Sequence, residues 1–272
     1  MAGDIRLILT DIDGTILPYG QRVVGERTRR TFHLALEAGI RVGPASGRGF
    51  SHIPASFAGD AELCATCLAA NGMQVYLDGR LVVQKLLEPG PLCELTELVR
   101  PLEHCGLICF EDGVPLLVAG DRTDLEQSFP VYARAAREVD GVPDHAIEKA
   151  NVFVGGDMAR TLEVVDHLRE RFCALGLNVP MAGFVNTTPL GWSKASGIDV
   201  LCEELSITLD QVVVFGDGGN DVEMLAHVPH SVTVAEAVPE AVAASRHHIG
   251  RCADDAVADL VDDIIARRWP TD

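Results

Sequence analysis

The chain has 272 residues, 47% of them hydrophobic, with 22 basic against 40 acidic side chains and a formal net charge of −18. That length and apolar content exclude a disordered chain and suit two packed domains. The acidic balance, with no run of Lys or Arg to offset it, argues against nucleic acid and anionic membranes as partners, and an anionic ligand would need a locally positive pocket.

The first predicted element is the apolar strand Ile5–Thr10, which delivers Asp11 and Asp13 into the glycine turn of DIDGT. A continuous apolar run is the pattern of a buried parallel strand, and in open α/β sheets the ligand crevice lies beyond the strands' carboxyl ends. Two carboxylates at such a place read as a nucleophile beside an acid/base, although Asp and Gly also begin ordinary loops. A helix carrying Phe32, Ala35 and Leu36 ends at Gly39, and the strand Ile40–Ala45 follows. Ser46, Gly47 and Arg48 at its end outline a phosphate cradle: a hydroxyl donor, a glycine that admits close backbone approach, and a helix start beyond. The same serine is also an ordinary helix cap.

Leu63–Ala69 reads as a further core strand, ending near Asn71 in an AANG turn. It carries Cys64 and Cys67, a CxxC whose apolar setting makes it buried core rather than a redox pair or half of a zinc site. The eight cysteines lack the dense spacing of a stapled domain and read as reduced thiols, and the nine histidines show no ligand spacing.

An inserted second domain is expected from residue 78 to 190, between core segments 1–77 and 191–272. Gln74–Val83 reads as a hairpin around Asp78 and Gly79, leading into it. A helix over 91–104 presents Leu92, Leu95, Val99 and Leu102 on one side, and strands are expected at Leu107–Glu111 and Pro115–Ala119. Asn151–Gly155 forms another strand, an amphipathic helix runs from Met158 towards Leu175, and Leu177–Val185 returns as a strand. The segment 172–193 is uncharged and long enough to span a bilayer, but Pro180, Pro189 and three glycines make it strand and loop.

Lys194 opens a helical pattern with Ile198, Leu201 and Leu205; such a lysine is usually a solvated surface residue, and its functional reading rests on the other motifs. Val212–Phe215 is a buried-strand run followed at once by Gly216, Asp217, Gly218, Gly219, Asn220 and Asp221. Oxygen-only ligands of this kind suit a hard cation such as Mg²⁺, which favours one or two carboxylates with phosphate oxygens and waters. A strand over Ser231–Val234 and a last helix over 254–268 complete an alternation that implies a parallel sheet with right-handed crossovers.

The four motifs DxDGT, SGR, Lys and GDxxND, in this order, make the chain resemble the haloacid dehalogenase superfamily, and within it the class IIB, or Cof-type, sugar phosphatases. The resemblance implies an α/β protein with a Rossmann-like core and an inserted α+β cap that selects the substrate. It implies that Asp11 attacks phosphorus, Asp13 acts as acid and then base, and Lys194 balances the charge. Asp11, Asp13, Asp217 and Asp221 would hold Mg²⁺, and Ser46, Gly47, Asn220, Arg48 and Asn71 would face phosphate or substrate. Arg48 has three readings: phosphate contact, substrate contact, or a brace held by an ion pair. Ser46 stands where the family more often has threonine, and Ala195 where glycine is frequent; the first keeps the hydroxyl and the second alters only a helix start.

The expectation is therefore a Mg²⁺-dependent phosphatase of small phosphorylated metabolites, cytoplasmic because an ordinary secretory leader would remove Asp11 on cleavage. A phosphotransferase or mutase of the same superfamily is the alternative, and a phospho-ligand binding protein without turnover a third. Specificity is expected to lie in the inserted domain, where position alone points to 111–113 and 184–188.

Overall fold

The structure, a computed structural model, describes residues 4–269; the outermost ends of the two expected core segments, 1–3 and 270–272, lie outside them. In chain order the elements begin with β1 (Leu7–Thr10), α1 (Glu26–Glu37), β2 (Arg41–Pro44), α2 (Ile53–Ser56), β3 (Cys67–Ala69), β4 (Gln74–Leu77) and β5 (Arg80–Gln84). There follow α3 (Pro89–Val99), β6 (Cys105–Glu111), β7 (Val114–Ala119), α4 (Arg122–Ser128), α5 (Pro130–Ala135), β8 (Arg137–Glu138), β9 (Lys149–Val154), α6 (Met158–Arg169), β10 (Leu175–Met181) and β11 (Phe184–Pro189). The chain ends with α7 (Lys194–Leu205), β12 (Val212–Gly216), α8 (Val222–His227), β13 (His230–Thr233), α9 (Pro239–Ala244), β14 (His247–His248) and α10 (Ala256–Ile265). Two compact units result, Met1–Gln84 with Ser193–Asp272, and Lys85–Trp192.

In the first unit a parallel sheet runs in the order β14-β13-β12-β1-β2. Strand alternation sends Ile8, Val213 and Phe215 into one apolar cluster with Phe32 of α1 and Val257 and Val261 of α10. Leu7, Leu9, Val212 and Val214 enter another with Ile198 and Leu201 of α7 and Met224 of α8. With both faces covered, β1 and β12 are buried throughout, which is why their sequences are unbroken apolar runs. A single bridge, Ala45 to Leu68, continues this sheet to β3, and the antiparallel β4 and β5 follow.

The hairpin read as leading into the inserted domain thus belongs to the first unit, because β4 pairs with β3. The strand expected over 63–69 begins later: Glu62–Cys64 is a 3-10 turn and only Cys67–Ala69 joins a sheet. Cys64 and Cys67 are buried free thiols, and burial raises both, Cys64 to about 12.

The second unit is a six-stranded sheet in the order β10-β11-β9-β6-β7-β8, antiparallel except where β8 joins β7. Its α6 is opened by Asp157, whose carboxylate accepts from the Arg160 amide at 2.9 Å. The α4 and α5 segments, not anticipated from the sequence, bring Leu125, Phe129, Tyr132 and Ala133 onto Ile108, Phe110, Leu117 and Phe153. The single strand expected over 177–185 is two strands, β10 and β11, joined by a turn at Gly183 with φ +80°. A glycine in that conformation turns the chain back, and the apolar residues on either side had masked it.

Gly43 marks the closest approach of β2 to the 62–66 segment, because a Cβ there would run into the Thr66 carbonyl. Gly43→Ala is therefore expected to lower stability by about 1–3 kcal/mol, the range of an overpacked core, read from the urea midpoint. Cys93 and Cys173 are exposed while the other six thiols are buried. A thiol reagent should label two groups quickly in the native protein and the rest only after unfolding.

Candidate active site

The carboxyl ends of β1, β2, β3 and β12 meet in the first unit. Asp11 follows β1 and is tied to the neighbouring strand by its amide, which donates to the Phe215 carbonyl at 2.8 Å. The turn beyond it depends on Gly14, at φ +89°, where a Cβ would strike the Asp217 carboxylate. The glycine of DIDGT thus lets the first motif lie against the last.

Lys194, the first residue of α7, is fully buried, and its Nζ donates to Asp11 Oδ1 at 2.7 Å and to Asp221 Oδ1 at 2.5 Å. Its placement follows from a helix start fixed on both sides: the Ser193 hydroxyl accepts from the Ala195 amide, and the Ser196 hydroxyl accepts from the Ser193 amide. Burial alone would lower the ammonium's pKa, but the charges of Asp11 and Asp221 override it and raise it. Asp221 is equally fixed, since its other oxygen accepts from the amides of Asp217 and Gly218 at 3.0 and 2.9 Å.

Asp11, Asp217 and Asp221 each bring a carboxylate oxygen within 4.8 Å of the others. Burial pushes the Asp11 carboxyl well above its usual range, and the charges of Asp221 and Asp217 add to it. Asp217 is raised to about 7, by burial first and by Asp221 next, against the opposing pull of Thr15. Three buried carboxylates facing one ammonium form an oxygen-only set with excess negative charge, the donor chemistry that fits a hard divalent cation. Asp13 lies apart from this set: its side chain is 43% exposed.

Arg48 forks onto Asp13, with Nε to Oδ2 at 2.9 Å and Nη2 to Oδ1 at 2.5 Å, while its Nη1 donates to Ser56 Oγ at 2.6 Å. Of its three sequence readings the geometry realises the ion-pair brace. The Ser46 hydroxyl accepts from the Arg48 amide at 3.2 Å, and the Ser46 carbonyl accepts from the Asn71 amide at 2.9 Å. Asn71, at φ 57°, in turn accepts from the Asn220 amide group at 3.1 Å and lies against Gly47. The structure therefore brings all of the sequence-derived residues Asp11, Asp13, Ser46, Gly47, Arg48, Asn71, Lys194, Asp217, Asn220 and Asp221 to linked loops at one sheet edge.

Three participants were not singled out from the sequence, one of them Tyr19, whose hydroxyl donates to Asp217 Oδ2 at 3.5 Å. Thr15, buried, donates to Asp217 Oδ1 at 2.5 Å, and its position two residues after Asp13 was the available signal. Ser56 lies in the short α2 and had no such signal. Thr15→Val leaves a buried carboxylate oxygen short of a donor, so a loss of about 1–3 kcal/mol in urea unfolding is expected.

The profile of the haloacid dehalogenase-like hydrolases matches residues 8–261. Among curated proteins, the chain is 26% identical to the 5-amino-6-(5-phospho-D-ribitylamino)uracil phosphatase YbjI of Escherichia coli over 98% of its own length and 99% of that protein. It is 26% identical to the HMP-PP phosphatase of Serratia proteamaculans, over 93% of each chain. Among solved structures, SMU.1108c of Streptococcus mutans superposes with a TM-score of 0.86 at 19% identity, covering 96% of this chain and 99% of that one. The subclass IIB sugar phosphatase BT4131 superposes at 0.79 with 17% identity, covering 94% and 98%.

Proposed function

Because the chain belongs to the haloacid dehalogenase-like hydrolases, we propose that it is a Mg²⁺-dependent phosphomonoesterase of small phosphorylated metabolites, working through an aspartyl-phosphate. The observation that carries the reading is the buried Lys194 ammonium held between Asp11 and Asp221, with Asp217 beside them.

In this reading an oxygen of Asp11 attacks phosphorus and the bond to the leaving oxygen breaks, with Asp13 giving that oxygen its proton. Asp13 then takes a proton from water as the water attacks the aspartyl-phosphate, which releases phosphate and restores Asp11. Splitting one displacement into two lets a single exposed carboxyl serve both halves. Lys194 offsets the charge that builds as a carboxylate nears a phosphate, and being fixed it needs no reorganisation at that moment. Asp221, with both oxygens engaged, acts by orienting Lys194 and the 217–218 turn. Asp11 and Asp217, with the backbone carbonyl of Asp13, would hold Mg²⁺, which supplies further charge neutralisation when bound. Ser46 and Gly47 from one loop and Asn220 from an adjoining one supply phosphate contacts, and Asn71 holds Asn220 in place.

The Arg48 fork keeps Asp13 ordered while no substrate is present, and its donors are suited to a carboxylate or a phosphate alike. The 85–192 unit is read as the substrate-selecting cap, and a cytoplasmic setting follows from a metabolite substrate. No helix among the described residues is long and apolar enough to cross a membrane.

The test is a screen of phosphorylated metabolites for released phosphate, with Mg²⁺ and with chelator, comparing the unaltered chain with Asp11→Asn. The panel includes 5-amino-6-(5-phospho-D-ribitylamino)uracil, for which a relative is named. Phosphate release should require Mg²⁺ and vanish in Asp11→Asn, with folding retained because the change is nearly isosteric. Turnover persisting in that variant would refute the nucleophile; an isomerised phosphate without free phosphate would show a mutase.

A further inference from the structure

The chain has three lysines. Lys85 and Lys149 belong to the second unit, the first over the Trp192 ring and the second in an aromatic box of Phe110, Tyr132 and Phe184. Lys194 is thus the one lysine of the first unit, and its Nζ is spent on Asp11 and Asp221. Asp217, the third carboxylate of the cluster, is met by hydroxyls instead: Thr15 on Oδ1 at 2.5 Å and Tyr19 on Oδ2 at 3.5 Å.

Two consecutive turns bring Tyr19 there. After Asp13 the Leu17 amide donates to the Ile12 carbonyl at 2.9 Å and the Gly14 amide to the Leu17 carbonyl at 3.0 Å, which folds the loop back while Leu17 enters the core. The Gln21 amide then closes on the Pro18 carbonyl at 3.0 Å, with Tyr19 at the corner of that turn. The outcome inverts the usual placement of a surface tyrosine, which lays its ring on the protein and leaves its hydroxyl in water. Tyr19 is 63% exposed, yet its hydroxyl lies against the carboxylate of Asp217, itself 5% exposed, and a Cβ at Gly14 would come within 2.9 Å of it. Packing does not explain a ring left in solvent so that one oxygen can reach a buried carboxylate.

Thr15 and Tyr19 do different things to Asp217. Thr15 is buried and its bond is short, so it fixes Oδ1. The bond from Tyr19 is at the outer limit for hydrogen bonding, so it steers Oδ2 without tying it and leaves that oxygen open to a cation. A phenol with a pKa of about 10 keeps its proton at neutral pH, and an ionised carboxylate can only accept. The proton of Tyr19 therefore faces Asp217, and the lone pairs of its oxygen face away, where water can donate to them. Mg²⁺ binds through one or two carboxylates and keeps several of its waters, and the groups that orient its ligands govern its affinity.

We propose that Tyr19 is a positioning residue of the divalent-cation site: its hydroxyl aligns Asp217 Oδ2 for the ion and accepts a hydrogen bond from water that the ion carries. This deepens the phosphatase reading, on whose Mg²⁺ site it rests.

The experiment titrates Mg²⁺ into the unaltered chain and into Tyr19→Phe by calorimetry, and follows both, grown with fluorotyrosine, by fluorine NMR. The dissociation constant for Mg²⁺ should rise about tenfold in Tyr19→Phe, the lower end for a group that orients a metal ligand, because the bond is long and the ring exposed. The Mg²⁺ concentration that gives half-maximal phosphate release should rise by the same factor. Tyr19, Tyr76 and Tyr132 are the only tyrosines, and the signal lost in Tyr19→Phe should be the one that shifts most when Mg²⁺ is added. Removal of one exposed hydroxyl should leave melting without Mg²⁺ unchanged. A merely structural tyrosine predicts the reverse, earlier melting without the ion and an unaltered Mg²⁺ affinity. That result, a Tyr19 signal indifferent to Mg²⁺, or an unaltered chain that takes up no Mg²⁺ overturns the proposal. The underlying reading fails separately: if Mg²⁺ affinity divides the two chains but no phosphorylated metabolite releases phosphate, Tyr19 keeps its role and the phosphatase does not stand.

Discussion

The first unit depends on an ammonium taken wholly out of water. Lys194 is tolerable there only because Asp11 and Asp221 meet it within hydrogen-bonding distance, and those carboxylates are tolerable only because it meets them. Such a group costs much to desolvate and more to leave half-made, so β1, the start of α7 and the turn after β12 must be correct together. The sheet order supplies this: β1 and β12 are neighbours in register, Thr10 beside Phe215, so the residues that follow emerge side by side. The α7 start, though distant in sequence, is pinned by its two serine caps.

The carboxylate excess around this lysine explains how a chain of such negative net charge can handle anions. The protein does not make the site positive by accumulating arginine. It places one fixed cation inside and leaves an oxygen-lined space whose charge imbalance a divalent ion would correct. The same economy appears at the loops: Asn71, Asn220, Ser46 and Gly47 are neutral, and they are held by one another and by backbone groups. Polar groups placed beforehand are worth more to a charged ligand than mobile ones of higher charge.

The parts legible in the sequence were those in which one local pattern carries one meaning. DIDGT and FGDGGND each follow an unbroken apolar strand, and β1 and β12 lie where those runs put them. Their partnership was legible only through the family's motif order, since nothing local in Lys194 distinguishes it from a surface lysine. Residues 177–185 misled because the turn at Gly183 sits between two apolar stretches that read as one. The hairpin over 74–83 was recognised as a hairpin, but its pairing with β3, which decides the unit it joins, is a long-range fact. Thr15 and Ser56 escaped for a related reason: a hydroxyl's partner lies across the fold, not along the chain. In the 85–192 unit the aromatic box round Lys149 draws on β6, α5, β9 and β11, which no single window of sequence contains.

The scarcity of lysine has a practical corollary. With two of the three lysine side chains enclosed, a lysine-specific protease acting on the native chain meets one accessible side chain, Lys85. That residue is the first of the 85–192 unit, directly after the last residue of β5. Nicking by such a protease would therefore converge on the junction where the polypeptide passes from one folded body to the other.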